Sequence, residues 1–256
     1  MSRKLGALLS ASAVLVAAVS AAVTVPATAN PGYHYDEPPG GRFSAGPPYR
    51  FVTSLTGSHE PMRDGASRVL RTEHGYRFVS GGQHNRVKIT ETSAGVRIAD
   101  ARTKRFKKLP AACEKAKARR GSAAVCKIPG DVTAAQPLLV EVWPRLGNDH
   151  VDGSSLSSRF ALTVLGDRGR ELVRFGAGPD FFNGFRGADR VYGGAGNDWL
   201  RSGVGNDVVV AGPGDDQIMD LGGSDRLFGG TGDDRINGKG PGKDVIKGGP
   251  GDDITR

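Results

Sequence analysis

From Gly166 to the C-terminus, an apolar residue recurs at every ninth position of the chain. The residues between these positions are mostly glycine, aspartate and other turn formers. The pattern predicts short strands joined by tight turns, with one apolar side chain in each nine-residue block. One inserted residue near Gly238 shifts the phase by one. The apolar positions are Val173, Phe182, Val191, Leu200, Val209, Ile218, Leu227, Ile236 and Ile246, and the final block has Thr255 there.

A carboxylate stands two residues before each apolar position, and a glycine stands two residues before each carboxylate. This order is kept through ten consecutive blocks. Because successive side chains of a strand point to opposite faces, one apolar side chain per block can point inward. The carboxylates are Glu171, Asp180, Asp189, Asp198, Asp207, Asp216, Asp225, Asp234, Asp244 and Asp253.

The clearest blocks read GGAGNDWL from Gly193 and GGTGDDRI from Gly229. They resemble the RTX, or haemolysin-type, calcium-binding repeat GGxGxDxUx. The resemblance covers Gly166–Arg256 and implies a right-handed parallel β-roll, in which blocks eighteen residues apart stack. The implied ladders are Asp180, Asp198, Asp216, Asp234 and Asp253 on one side, and Asp189, Asp207, Asp225 and Asp244, with Glu171 at the weak end, on the other.

The chemistry of the ladders points to a hard cation. Stacked strands lie about 4.8 Å apart, and two bare carboxylates at that distance repel by about 3 kcal/mol at an effective dielectric of 20. Carboxylate and carbonyl oxygens in a flexible loop favour Ca²⁺ over Mg²⁺. Zinc and copper prefer His or Cys, which the repeats lack. We therefore predict that the nine ladder aspartates are calcium ligands.

Two other interpretations of the repeats are a flexible Gly/Asp-rich linker and a β-solenoid without metal. A linker gives no reason for aspartate, glycine and aliphatic residues to keep one phase over ten blocks.

The N-terminus resembles a secretory signal peptide, residues 1–29. Two basic residues precede an uncharged Ala/Val/Leu stretch, residues 5–25, and Ala27–Ala29 is a small-residue cleavage motif. A transmembrane anchor is the alternative, because the stretch is about long enough to span a bilayer. We expect cleavage, an extracellular protein and no transmembrane segment afterwards.

Two further regions precede the repeats. Residues 30–74 are rich in proline and glycine and predict a largely disordered linker. Residues 75–165 predict an irregular β-rich segment, which makes the whole chain all-β. A lone repeat-like turn, Leu146–Gly153, is out of phase with the main array. The predicted strands are Gly75–Val79, Arg86–Thr90, Gly95–Ala99, Leu138–Trp143 and Phe160–Leu165.

Cys113 and Cys126 are the two cysteines, and an even count in an exported chain predicts a disulfide between them. The net charge of +8 is uneven: residues 1–165 hold 23 basic and 12 acidic residues, and residues 166–256 hold 12 basic and 15 acidic ones. A basic loop, residues 102–120, is either a solvated surface or a patch for anionic cell-surface polymers. It lacks the interleaved aromatic residues that would indicate specific nucleic-acid binding.

The sequence contains no G-x-S-x-G or H-E-x-x-H motif, and its five histidines are scattered. We therefore do not expect an enzyme. The predicted function is a secreted protein that binds several calcium ions, with folding coupled to binding. The alternatives are a small secreted enzyme with an unrecognised site in residues 50–165, and a cell-wall or adhesion module that uses the basic loop.

Overall fold

The computed structural model describes residues 65–238 and 240–256, which contain twenty strands and no helix. The predicted signal peptide and most of the predicted linker lie outside the described residues. None of the described residues belongs to a helix long and apolar enough to cross a membrane. The strands are β1 (Ala66–Arg71), β2 (Gly75–Ser80), β3 (Arg86–Thr92), β4 (Gly95–Asp100), β5 (Arg105–Lys108), β6 (Cys113–Ala116), β7 (Ser122–Cys126), β8 (Leu138–Trp143), β9 (His150–Asp152), β10 (Phe160–Leu165), β11 (Leu172–Arg174), β12 (Phe181–Asn183), β13 (Arg190–Tyr192), β14 (Trp199–Val204), β15 (Val208–Pro213), β16 (Gln217–Gly222), β17 (Arg226–Thr231), β18 (Arg235–Asn237), β19 (Val245–Lys247) and β20 (Ile254–Thr255).

The strands form two ten-stranded sheets, between which the chain alternates from β8 onward. One sheet runs β20-β18-β16-β14-β12-β10-β8-β2-β1-β5, and the other runs β19-β17-β15-β13-β11-β9-β3-β4-β7-β6. From β8 onward every pairing with the next strand of the same sheet is parallel. The predicted all-β fold with a parallel β-roll in the C-terminal part is confirmed.

The apolar residue of each block stacks on the block eighteen residues away. Phe182 lies opposite Leu200, and Leu200 lies opposite Ile218. In the other sheet Val191 lies opposite Val209. These side chains are almost completely inaccessible to solvent and belong to one continuous hydrophobic cluster, to which both sheets contribute. The nine-residue apolar period therefore builds the interior of the roll, as predicted.

The roll begins before the repeats. β2 pairs in parallel with β8, with Gly75 opposite Leu139, and β3 pairs in parallel with β9, with Arg86 opposite His150. The β2–β3 segment is thus a first coil of the same roll, although 64 residues rather than eighteen separate it from its partner. Residues 93–137 form an insertion into this coil. The five strands that the sequence predicted in residues 75–165 are confirmed.

Mostly antiparallel strands finish the N-terminal end of both sheets. β1 extends one sheet by antiparallel pairing with β2, and β5 pairs in parallel with β1 at its edge. β4, β7 and β6 extend the other sheet by antiparallel pairing. β6 and β7 are joined by the Cys113–Cys126 disulfide, as predicted. β1 lies inside the range that the sequence analysis assigned to the linker, so regular structure begins earlier than Gly75. Val69 is fully buried and pairs with Phe78, and this packing on β2 outweighs the polar composition of the segment.

Candidate metal centre

Seven ladder aspartates lie at the turn just before a strand, and each is at most 3 % exposed. These residues are Asp180, Asp189, Asp198, Asp207, Asp216, Asp225 and Asp234. Asp244 and Asp253, in the last two blocks, are only half-buried. Glycine allows neighbouring coils to approach closely at these turns. A Cβ atom at Gly187 would lie 1.5 Å from the carbonyl oxygen of Gly169 in the coil before. The spacing of eighteen brings the aspartates into the two predicted ladders.

One oxygen of each ladder aspartate is used by the fold. Oδ1 of Asp198 accepts a hydrogen bond from the backbone N–H of Asp180 at 2.8 Å, and Oδ1 of Asp207 accepts one from Asp189 at 2.8 Å. The same contact recurs up to the final block, where the N–H of Asp234 donates to Oδ1 of Asp253 at 3.0 Å. We call this contact between neighbouring coils the Oδ1 staple.

In most ladder aspartates the other oxygen is left without a partner in the described residues. Within the described residues, Oδ2 is buried and accepts no hydrogen bond in six ladder aspartates. A buried acceptor without a donor is destabilising, and more so when it is charged. The repeated element is therefore a pair of carboxylate oxygens with separate roles, one structural and one available to a cation. The six residues are Asp189, Asp198, Asp207, Asp216, Asp225 and Asp234.

Burial changes the acidity of these groups. Removal from water raises the pKa of Asp189, Asp216 and Asp225 to about 7, because it disfavours the charged form. The pKa of Asp198 lies well above its usual range, first through burial and then through the neighbouring carboxylates of Asp180 and Asp216. Without a cation, part of the ladder aspartates are therefore protonated at neutral pH.

The family comparison agrees with this geometry. The family model of the RTX calcium-binding nonapeptide repeat (four copies) matches residues 165–200, 176–209, 183–218, 210–240 and 240–255. Residues 165–255 are an RTX repeat array. The resemblance drawn from the sequence is confirmed, and a match to this repeat implies calcium binding by a β-roll. A search of curated proteins and a search of solved structures each gave no significant match.

One ladder continues beyond the RTX array toward the N-terminus. His150 pairs with Leu172, which places Asp149 one coil before Glu171, and Oδ1 of Asp149 accepts a hydrogen bond from the N–H of Asn85 at 2.6 Å. The turn that the sequence analysis set out of phase is thus in register. Paired residues of these two coils are 22 residues apart in sequence rather than eighteen, because the connection between β9 and β10 is longer.

The sequence predicted Glu171 at the weak end of its ladder. Glu171 is a weak rung, but the ladder continues past it to Asp149. Both of its carboxylate oxygens are buried without a hydrogen-bond partner in the described part of the chain, so it makes no staple. Burial, and then the charge of Asp189, raise the pKa of Glu171 to about 10. Glu171 is therefore an acid in the ladder that is protonated at neutral pH when no cation is present.

One carboxylate of the array, that of Asp220, was not among the predicted ligands. It lies in β16, is buried, and has a carboxylate oxygen within 4.8 Å of oxygens of Asp207 and Asp225. Asp220 occupies the first position of its block, which is glycine in most blocks. This departure from the glycine pattern was the available sign.

Proposed function

We propose that this chain is an exported, non-enzymatic protein whose RTX array binds several calcium ions and folds as it binds them. The observation that carries the proposal is the row of six buried Oδ2 atoms without hydrogen-bond partners in the described residues. These ligands are oxygen atoms, which suits a hard cation. The match to a calcium-binding repeat names calcium as that cation.

The ladder aspartates hold the ions through Oδ2, and the carbonyl oxygens of the glycine-rich turns are the further ligands at hand. The bound ion supplies positive charge that offsets the repulsion between stacked carboxylates. In the folded array the Oδ1 staple fixes each carboxylate plane. Asp198, for example, keeps its hydrogen bond from Asp180 while Oδ2 stays free.

Coupling of binding to folding follows from how little else supports each coil. The coil that contains Leu200 and Val209 buries these two large aliphatic side chains between the sheets, and tight turns connect its two short strands, β14 and β15. Such burial offsets only part of the entropy lost by ordering the backbone. The carboxylates add mutual repulsion. Cation binding therefore contributes directly to folding, as in other metal-dependent domains.

Calorimetric titration with Ca²⁺, followed by circular dichroism and thermal melting, tests this proposal. We expect several ions to bind, with a gain in β signal and in melting temperature that Mg²⁺ at the same concentration does not reproduce. Retention of the full β signal and the full thermal stability in EGTA would contradict the coupling. Absence of calcium binding to the intact chain would contradict the proposal as a whole.

Export is supported by the signal-like residues 1–29 and by the Cys113–Cys126 disulfide, since disulfides persist in oxidising compartments. We expect the protein to be recovered from the medium with Asn30 as its first residue. N-terminal sequencing checks this, and retention of residues 1–29 in the membrane fraction would favour an anchor instead.

A second candidate function rests on the basic loop. Its nine lysine and arginine side chains are all exposed, Glu114 is its only acid, and it carries β5 and β6, the edge strands of the two sheets at the N-terminal end. This surface suits an anionic cell-surface polymer. Retention on purified wall polymers, compared with a variant in which Lys104, Arg105, Lys107 and Lys108 are Gln, separates it from calcium binding alone. Equal retention of both proteins would reject it.

A further inference from the structure

We propose that Asp220, Asp207 and Asp225 form a distinct three-carboxylate calcium site that binds its ion more tightly than the other steps of the ladders. The inference rests on the proposed calcium binding and adds to it a residue outside the repeat consensus. It predicts that the RTX array contains one dominant site among otherwise similar ones.

The first position of a block faces the ladder carboxylate of the same block. A Cβ atom at Gly184 would lie 2.2 Å from Oδ2 of Asp189, and one at Gly229 would lie 2.1 Å from Oδ2 of Asp234. Glycine keeps this space open in most blocks. A side chain at the first position is therefore aimed at the oxygen that the fold leaves free.

Asp220 puts a third carboxylate into this space. It belongs to the block of Asp225, and Asp207 lies one coil earlier, so the three acids meet across one step of the ladder. Their oxygens lie within 4.8 Å of one another, and each residue is at most 3 % exposed. A step without this substitution has two carboxylates, and this step has three.

The three acids are aimed into the site without partners. Oδ2 of Asp207, Asp220 and Asp225 is buried and accepts no hydrogen bond from residues 65–238 or 240–256. None of the three acids forms an ion pair with a basic side chain in those residues. Three buried carboxylates so close together repel strongly unless a cation lies among them.

Ser202 orients the added carboxylate. It holds the first position one coil before Asp220, and its Oγ donates a hydrogen bond to Oδ1 of Asp220 at 3.1 Å. The hydroxyl thus occupies Oδ1 of Asp220, and Oδ2 is left without a hydrogen-bond donor in the described residues. The arrangement repeats the division of roles seen in the ladders, with a side-chain donor in place of a backbone N–H.

Removal of the third charge is expected to weaken the site. Calcium affinity in proteins rises with the number of ligand charges, so Asp220→Asn should raise the dissociation constant of the tightest ion by about ten-fold or more. Asp220→Gly restores the usual residue of the position and should have the same effect without strain. Ser202→Ala should have a smaller effect, because the carboxylate remains.

The experiment is calorimetric titration of the full chain with Ca²⁺, with the bound ions counted by native mass spectrometry. Asp215→Asn is the matched control: it makes the same change in an exposed residue of a neighbouring turn and keeps the Oδ1 that accepts from the N–H of Asp233. Loss of the tightest ion in Asp220→Asn and Asp220→Gly but not in Asp215→Asn supports the inference.

An unchanged tightest site in Asp220→Gly, with the wild type binding calcium, overturns this inference and leaves the proposed function intact. No calcium binding in the wild type overturns both. If Asp220→Asn does not regain the wild-type circular dichroism in saturating calcium, the Asp220→Gly titration decides alone.

Discussion

Buried carboxylates are handled in two ways along the same roll. Between β2 and β8, Glu141 is fully buried and receives two hydrogen bonds from Arg77, at 2.8 and 3.2 Å, while the Arg77 guanidinium lies 4.2 Å from the Trp143 ring centroid. In the RTX array, Asp198 and Asp216 are buried as deeply, and each keeps one oxygen without a hydrogen-bond partner in the described chain.

The difference shows which part of the roll carries its own counter-charge. The first coils, formed by β2–β3 and β8–β9, neutralise the buried Glu141 with a protein side chain and hold both oxygens of the buried Asp100 with hydrogen bonds. Of their buried acids within the described residues, Asp149 alone keeps an oxygen without a hydrogen-bond partner. A disulfide and further strands complete the N-terminal end. The RTX array has no such neutralising contact at its six free Oδ2 atoms in the described residues. We therefore expect the first coils to be ordered without calcium and the array to require it.

The largest expected effect comes from calcium removal. In EGTA, backbone amides of the array such as Leu200 and Val209 should lose their protection from hydrogen exchange, while Ile89 and Val140 of the first coils keep theirs. The reason is the unbalanced charge of the ladders. Hydrogen-exchange mass spectrometry of the full chain checks this, and equal loss in both regions would show that the roll is one cooperative unit.

Acid should partly replace calcium. The pKa of Asp189 and Asp216 is raised to about 7, and that of Asp207 to about 6, above their ordinary values near 4. A raised pKa means that the folded state binds protons that the unfolded chain does not, so this stability is present below about pH 4 and is lost as the pH rises through 6 to 7.

The β signal measured in EGTA should therefore increase as the pH falls from 8 to about 5. In saturating calcium the β signal should stay constant as the pH falls, up to the point at which protons displace the ions. A β signal in EGTA that falls on acidification would mean that the ladder carboxylates are not the groups that oppose folding.

Breaking the ion pair of the first coils should have a smaller and calcium-independent effect. Arg77→Met leaves Glu141 buried without its main partner and should destabilise the chain by about 3–5 kcal/mol. The number of calcium ions bound should not change. Denaturant unfolding in saturating calcium measures the loss. The double variant Arg77→Met/Glu141→Leu is the control, because removal of both charges should recover much of the stability.

The smallest effect concerns individual rungs. Asp216→Ala removes the staple to the N–H of Asp198, at 2.8 Å, and should cost about 1–3 kcal/mol for the buried donor left without an acceptor, besides weakening calcium binding. Glu171→Ala removes no staple and should cost less. Thermal melting in saturating calcium compares the two, and equal shifts would argue against the division of roles between the two carboxylate oxygens.

The sequence was sufficient where a local period determines the structure. The nine-residue period to which Asp198 and Leu200 belong predicted the apolar interior, and the RTX resemblance carried by that period implied the two ladders. It was not sufficient for the first coil, where Arg86 and His150 come together across an insertion. Parallel backbone pairing over a long gap leaves no periodic trace. Asp220 was not predicted, because its position in the block is not a carboxylate position of the repeat consensus.

The Oδ1 staple has a direction. In each contact between ladder residues, the N–H donor belongs to the earlier coil and the carboxylate acceptor to the next one, as in Asp180 and Asp198. Each coil is therefore fixed by the coil that follows it. Shortening the array from its C-terminus by one coil would not remove a specialised end but would pass the loose position to the coil before. The exposed Val245 and Ile254 of the present last strands mark that position.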